Sequence, residues 1–242
     1  MNNTQIFELY SSKWDGLSAA MQPIILNDSC KTKPANPLLL YVGKCGDEHE
    51  LENADIRVMI FGKETYGWYG IFTNQPSKEK AIEDIQCEYD KFFNNRDEYY
   101  ARNGFFTRGF KKFDTMLQAK YPNKKISYTW NNIIKIGKAT SAGCPPDYIY
   151  NIEKEYFLVI KDEVRILKPH IILFLTGYQY DDKIENNFGK TDYSQIASFE
   201  KKELAKLFIP NVDFAYRTYH PRFLNTVNAE NYFNAIIQDI NF

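Results

Sequence analysis

The chain has 242 residues, of which 44% are apolar and 25% are charged, with 30 basic against 31 acidic side chains. This composition is typical of a folded globular protein and excludes a disordered or collagen-like chain. The net charge of −1 excludes a protein that coats nucleic acid through bulk positive charge, although a local basic rim could still position a duplex. We expect one domain over residues 1–242, since a domain of this length can bury a full core.

The apolar stretches, the first residues and the cysteines set further expectations. No stretch reaches the roughly 20 apolar residues of a membrane span, and the first residues have no secretory signal pattern, so we expect a cytoplasmic protein. The four cysteines form no C-x-x-C pair; they are Cys30, Cys45, Cys87 and Cys144. We therefore expect reduced thiols and neither a zinc site nor a disulfide framework.

Four short apolar runs predict buried parallel strands, because burial on both faces of a sheet produces such runs, closed by Gly or Pro. The runs cover residues 56–61, 126–136, 171–175 and 212–216. The segment of about 68–103 is polar, charged and aromatic, and 81–93 within it could form a helix. We interpret this segment as an insertion over the carboxyl edge of the sheet.

Apolar residues at helical spacing alternate with these strands. The predicted helices cover about residues 106–117, 149–167 and 229–240, and the first 50 residues are expected to wrap the core. Alternation of strands and helices predicts right-handed crossovers with helices on both faces of the sheet. The predicted fold is a three-layer α/β/α sandwich with a central, mainly parallel four-stranded sheet.

Chemically useful side chains follow the ends of these strands, where open parallel sheets bind their ligands. They are a carboxylate at Glu64, an amide pair at Asn131 and Asn132, a turn at Gly177 and an imidazole at His220. Each also has a structural explanation, since Glu often caps a helix, Asn favours turns and a lone His is more often structural. Because all of them are predicted to lie at the same edge of the sheet, a functional site is favoured there.

Five motifs in chain order resemble the uracil-DNA glycosylase superfamily, over roughly residues 55–240. The segment Gly62-Lys63-Glu64-Thr65-Tyr66 is similar to the family's first motif, which reads G-Q-D-P-Y or G-E-A-P-G. The other four motifs resemble those of the iron–sulphur-containing branch; they are Asn131 to Lys135, Tyr156 to Gly177, Thr218-Tyr219-His220-Pro221 and Gly104 to Arg108.

The resemblance implies an enzyme that flips uracil or another deaminated base out of DNA and hydrolyses its N-glycosidic bond. By position, Glu64 would orient a water molecule and stabilise the cationic sugar. His220 would donate a hydrogen bond to the negative charge that develops on the departing base. The implied catalytic pair is therefore Glu64 and His220, and the implied reaction needs no metal and no organic cofactor.

The resemblance also implies a base pocket. Asn132, with Asn131 as the alternative, would read the uracil edge, because an amide offers both a donor and an acceptor. An aromatic ring would stack on the base, and Tyr66 would exclude thymine. The implied base-binding residues are Gly62, Tyr66, Phe105 or Phe106, and Asn131 or Asn132.

DNA contacts are implied beside this pocket. Arg222 would contact a phosphate, and Phe223 or Leu224 would wedge into the base stack. Basic residues near the predicted mouth, among them Arg108 and Lys135, would supply salt-dependent attraction to phosphates. Solvated surface positions explain these basic residues equally well.

The sequence also departs from the family pattern. Thr65 occupies the usual proline position, Glu64 replaces the usual Asp, and the cysteines do not match the cluster ligands, so we expect no iron–sulphur cluster. Two other functions stay open. One is an inactive relative that binds a nucleobase or single-stranded nucleic acid; the other is a small-molecule hydrolase with Glu64 and His220 as general base and acid.

Overall fold

The computed structural model describes residues 2–43 and 49–242, so the predicted thiol of Cys45 lies outside the described residues. The chain forms two compact units, each assembled from three separate segments. The helical unit contains Met1–Glu48, Lys63–Asn94 and Asn132–Leu167, and the sheet unit contains His49–Gly62, Asn95–Asn131 and Lys168–Phe242. Within the described residues, no helix is long and apolar enough to cross a membrane.

Helices and strands alternate along the described chain. In order they are α1 (Asn2–Leu26), α2 (His49–Glu52), β1 (Ile56–Gly62), α3 (Lys78–Tyr89), α4 (Arg96–Ala101), α5 (Phe105–Lys120), β2 (Ile126–Asn132), α6 (Asp147–Tyr156), α7 (Ile160–Leu167), β3 (Ile171–Leu175), α8 (Asp181–Phe188), β4 (Tyr193–Gln195), β5 (Leu204–Leu207), β6 (Phe214–Thr218), α9 (Pro221–Leu224) and α10 (Ala229–Asp239). A π-helical turn at Asp90–Asn94 follows α3, and a 3₁₀ turn at Tyr178–Tyr180 follows β3.

The strands form one mixed sheet in the order β2-β1-β3-β6-β5-β4, so the protein belongs to the α/β class. The pairs β1–β3 and β3–β6 are parallel, whereas β4–β5 and β5–β6 are antiparallel. The prediction of a four-stranded, mainly parallel sheet was therefore incomplete. The two additional strands, β4 and β5, are short and contain polar residues, so they lack the apolar run that marks the other four.

The centre of the sheet is packed because β1 and β3 are apolar on both faces. All five residues of β3 are buried, and Phe61 of β1 stacks on Phe174 of β3 with ring centroids 4.8 Å apart. In the register of the parallel strands, Val58 of β1 lies opposite Ile171 of β3, and Ile171 lies opposite Phe214 of β6. This register brings the carboxyl ends of the parallel strands to a common edge.

The helical unit is organised around α1, where the sequence predicts only a segment that wraps the core. One face of α1 is buried and carries Ile6, Tyr10, Trp14, Leu17, Met21 and Ile24. Trp14 stacks on Phe72 at 5.4 Å, and Tyr10 stacks on Phe157 at 5.9 Å. Apolar spacings of three and four residues are the signal that could have identified this helix.

The single helix predicted for 149–167 is two helices, α6 and α7. Phe157 and Val159 lie between them, and both are fully buried. On a continuous helix, positions two residues apart point to nearly opposite sides. The break lets both side chains enter the core.

Candidate functional site

The predicted site residues divide between the two units. The helical unit carries Glu64, Tyr66, Asn132 and Lys135. The sheet unit carries the others, namely Gly62, Phe105, Phe106, Arg108, Asn131, His220, Arg222, Phe223 and Leu224.

In the sheet unit, the structure holds His220 in a defined orientation. His220 is the N-cap of α9, and its Nδ1 accepts a hydrogen bond from the backbone N–H of Arg222 at 3.2 Å. An accepting Nδ1 carries no proton, so the proton of the neutral imidazole lies on Nε2, which is then a hydrogen-bond donor. The ring lies 6.2 Å from Phe106, which in turn lies 6.3 Å from Trp130.

Two guanidinium groups lie near the ring of Phe105, at the start of α5. The Cζ atom of Arg108 is 4.7 Å from the centre of the Phe105 ring, and that of Arg222 is 6.0 Å away. Within the described residues, neither guanidinium pairs with a carboxylate. Cation–π contacts at exposed sites are weak, so these cations remain able to bind an anion.

A cavity of about 210 Å³ opens beside Phe105 in the same unit. Its lining combines basic, amide and apolar side chains, from Phe105, Arg108, Gly109, Lys112, Pro221, Leu224, Asn225, Asn228 and Ala229. Lys112 is partly neutralised by an ion pair with Glu230 at 3.1 Å. Asn225 and Asn228 belong to no recognisable motif, so the sequence does not predict these two lining residues.

Gly109 allows α5 to pack against the start of α9. A Cβ atom at this position would lie 2.6 Å from the Cβ of Pro221, closer than real Cβ contacts. A glycine in the middle of a helix costs stability, which is the sequence signal that this position has a packing role. Close packing here fixes the spacing between Arg108 on α5 and His220 ahead of α9.

Two adjacent residues proposed as alternative wedges have opposite environments. Phe223 is exposed, and its ring lies 4.5 Å from that of Tyr219. Leu224 is fully buried. The prediction that Leu224 could enter the DNA base stack is therefore wrong, because the fold already uses its side chain in the core.

Gly62 and Asn131 lie inside the sheet. Both are buried at the ends of their strands, and Asn131 Nδ2 donates to the Sδ of Met59 at 3.7 Å. A thioether is a weak acceptor. Recognition of a base by Asn131 remains a prediction.

In the helical unit, Glu64 and Asn132 lie on two hydrogen-bonded segments. The backbone N–H of Ile134 donates to the carbonyl of Lys63 at 2.9 Å, and that of Gly67 donates to Lys138 at 3.0 Å. Glu64 is half-buried, Asn132 is buried and Tyr66 is exposed. The backbone segments that carry the predicted carboxylate and the predicted base-reading amide are thus adjacent.

A glycine makes this close approach possible. A Cβ atom on Gly137 would lie 2.1 Å from the carbonyl oxygen of Thr65, so no larger residue fits. The hydroxyl of Thr65 in this turn is buried.

Lys135 was predicted to contact DNA, and this prediction is wrong. The side chain is buried, and Nζ lies 2.7 Å from Oε1 of Glu163. The same Oε1 accepts the hydroxyl of Tyr10 at 2.5 Å. A buried ammonium already bonded to a carboxylate cannot reach a phosphate.

Glu153 completes this buried polar cluster. Its two carboxylate oxygens accept the backbone N–H groups of Lys135 and Ile136, both at 2.8 Å. Burial raises the pKa of Glu153 to about 7, although the two backbone hydrogen bonds oppose the change. Burial likewise lowers the pKa of Lys135, against the opposing charge of Glu163. The cluster fixes the segment that follows Asn132.

No group of three or more His, Cys, Asp or Glu side chains in residues 2–43 and 49–242 is arranged to hold a metal ion. Comparisons of the chain with protein-family models and with curated proteins found no match.

Proposed function

We propose that this protein is a DNA glycosylase that hydrolyses the N-glycosidic bond of uracil or another deaminated base, on a fold of the uracil-DNA glycosylase type. The observation that carries the proposal is the orientation of His220. Its Nδ1 accepts the backbone N–H of Arg222, so the proton of the neutral ring is on Nε2, and an N–H of this kind is a donor that can stabilise a developing anion.

The reaction needs a donor of this kind because the bonding electrons leave with the base. As the bond between C1′ and the base nitrogen breaks, negative charge builds on the base and positive charge on the sugar. His220 would stabilise the base anion through Nε2–H. Water then adds its hydroxide to C1′, and its proton passes to the base.

Glu64 and Asn132 support the other half of the proposal, because they lie on adjacent hydrogen-bonded segments of the helical unit. A carboxylate can orient the attacking water and stabilise the sugar cation. The amide of Asn132 offers a donor and an acceptor to the N–H and C=O groups of uracil. Glu64 has one methylene more than the Asp usual in that family, so its carboxylate reaches further from the backbone.

Arg108 and Arg222 support the assignment of DNA as the substrate. Both guanidinium groups lie over Phe105, and Arg108 also lines the adjacent cavity. Exposed cations of this kind give the salt-dependent affinity for phosphates that nucleic-acid enzymes use.

The test is base release from oligonucleotides that carry uracil in a single strand, opposite A or opposite G, or that carry hypoxanthine or xanthine. Cleavage at the abasic site reports release. We expect His220→Ala to lower the single-turnover rate by about 10²–10³-fold, the usual loss for one such donor. We expect Glu64→Gln to lower it at least as much, and Glu8→Gln, an exposed change on α1, to leave it unchanged.

Two negative results of the base-release assay would have different meanings. Folded protein that releases no base but binds the oligonucleotides would indicate a recognition module and overturn the glycosylase proposal. Protein that neither releases a base nor binds DNA would favour a small-molecule hydrolase.

A further inference from the structure

Exposed aromatic side chains collect beside His220 in the sheet unit. Tyr178 directly follows Gly177 after β3, and Tyr219 directly follows β6. These strands are parallel neighbours with Leu175 opposite Thr218, so the two tyrosines emerge from the same edge of the sheet. The backbone N–H of Gly177 also donates to the carbonyl of Thr218 at 2.9 Å, which ties the two strand ends together.

Phe223 and Phe105 extend this surface. The rings of Phe223 and Tyr219 are 4.5 Å apart, and the guanidinium of Arg222, the next residue along the chain, lies over Phe105. The exposed fractions are 42% for Phe105, 44% for Tyr178 and 48% for Phe223. We call Phe105, Tyr178, Tyr219 and Phe223 the aromatic strip.

Other aromatic rings pack against Tyr219 of the aromatic strip. The ring of Tyr219 lies 6.1 Å from that of buried Tyr232, which lies 4.4 Å from the ring of Phe199. These contacts hold Tyr219 in place while the fold leaves the outer faces of its neighbours in solvent. Rigid rings with exposed faces are the arrangement that stacks on unpaired bases.

Charge along the strip is predominantly positive near Phe105 and mixed near Tyr219. Arg108 and Arg222 lie over Phe105 and form no ion pair within the described part of the chain. Beside Tyr219, the charge of Lys202 is paired with that of Glu200 at 2.9 Å. The negative charge of Glu203 also acts on the Tyr219 hydroxyl. The phosphate-binding end is therefore the one that carries Phe105.

We propose that the aromatic strip binds single-stranded DNA, with the bases that flank the target stacked on its rings and a phosphate held by Arg108 and Arg222. This inference rests on the proposed function and names its substrate as a single strand. In a duplex every base already stacks on its neighbours, so its faces are not offered to side chains, whereas a single strand offers each base in turn.

The test uses strands without uracil, so that binding is measured apart from catalysis. Fluorescence anisotropy would compare a labelled thymidine 16-mer with a duplex of the same length, at one fixed salt concentration. We expect the wild-type protein to bind the single strand at least about tenfold more tightly. Equal or tighter binding of the duplex would overturn the proposal.

Variants locate the binding on the strip. We expect Phe223→Ala to weaken single-strand binding about tenfold, because one stacked base loses its partner, and Phe223→Trp to retain it. The matched control is Phe208→Ala, which removes another exposed ring of the sheet unit. Phe208 follows β5 at the end that pairs with the start of β6, away from Tyr219.

The two proposals fail separately. If Phe223→Ala and Phe105→Ala both leave single-strand binding unchanged, the strip is not a binding surface, whatever the base-release assay gives. If single-strand binding depends on the strip but no base is released, the strip is confirmed and the glycosylase proposal is wrong. A uridine 16-mer of RNA that binds more tightly than the DNA strand would overturn the assignment of DNA.

Discussion

In the helical unit the ammonium group of Lys135 is buried 2.7 Å from a carboxylate of Glu163, whereas in the sheet unit the guanidinium groups of Arg108 and Arg222 are exposed over Phe105. All three were predicted to contact DNA. A buried charge must be paired within the protein, because its desolvation is costly, while an exposed one keeps its affinity for an external anion. Burial, and not residue type, decides which role a basic side chain takes.

The largest effect is expected at the buried pair. Lys135→Met would leave the Glu163 carboxylate buried without its cation, and we expect the free energy of unfolding to fall by about 3–5 kcal/mol. Equilibrium unfolding in urea at pH 7 measures the change. The double variant with Glu163→Gln should recover part of the loss, and a loss below about 1 kcal/mol for Lys135→Met would show that the pair is not a tight buried one.

A pH dependence of stability is expected from Glu153. In the unfolded chain this carboxyl loses its proton near its ordinary pKa of 4.5, whereas in the folded protein its pKa is raised to about 7 by burial. Between these values the folded state binds more protons, so the contribution of Glu153 to stability falls as the pH rises from about 4.5 to 7, by at most about 3 kcal/mol.

Glu153→Gln isolates this contribution. The amide keeps only one acceptor for two backbone N–H groups, so we expect a destabilisation that does not itself depend on pH. The difference in unfolding free energy between wild type and variant should therefore shrink as the pH rises from 4.5 to 7, which urea titrations at several pH values would show. A constant difference would contradict the raised pKa.

A smaller effect, on binding instead of folding, is expected at the exposed cations. Arg222→Ala should weaken single-strand DNA binding by roughly tenfold and reduce the slope of log affinity against log salt by about one, since one phosphate contact is lost. Its unfolding free energy should stay within about 0.5 kcal/mol of wild type. A salt slope equal to that of wild type would place Arg222 outside the DNA contact.

The smallest effect is expected at an exposed ion pair of the helical unit. Lys80 and Asp84 are 2.6 Å apart, as close as the buried pair, but both are solvated. Lys80→Ala should leave the urea midpoint unchanged within error, because water and salt screen an exposed pair. A marked loss of stability would mean that distance matters more than burial in this protein.

Much of the sheet could be predicted because buried parallel strands require uninterrupted apolar runs. The run at 171–175 is β3 with the same ends, and β1 extends the run at 56–61 by one residue. The missed strands β4 and β5 lie at one side of the sheet, where antiparallel pairing needs no such run. Their existence depends on the pairing of β5 with β6 and of β4 with β5, which no local pattern reports.

The candidate site could be predicted less well, because a motif identifies residue types but not their burial. The pattern that marked Lys135 as a basic rim residue contains no sign that Tyr10 and Glu163 enclose it, since these partners are far away in sequence. From the sequence alone, Leu224 and Phe223 are equally plausible wedges. Only the packing of α9 shows that Leu224 is buried and Phe223 is exposed. Gly109 is the exception, since an interior helical glycine points to close packing without any structure.

The buried cluster of the helical unit also has a consequence for synthesis of the chain. Tyr10 and its partner Glu163 are separated by 153 positions, and the hydroxyl of Tyr10 also receives the backbone N–H of Leu40. Translation proceeds from the amino end, so α1 leaves the ribosome long before the carboxylate that its tyrosine must meet. The apolar face of α1 is therefore a surface that chaperones would encounter on nascent chains, and a stop codon ahead of Glu163 would leave that face without its polar anchor.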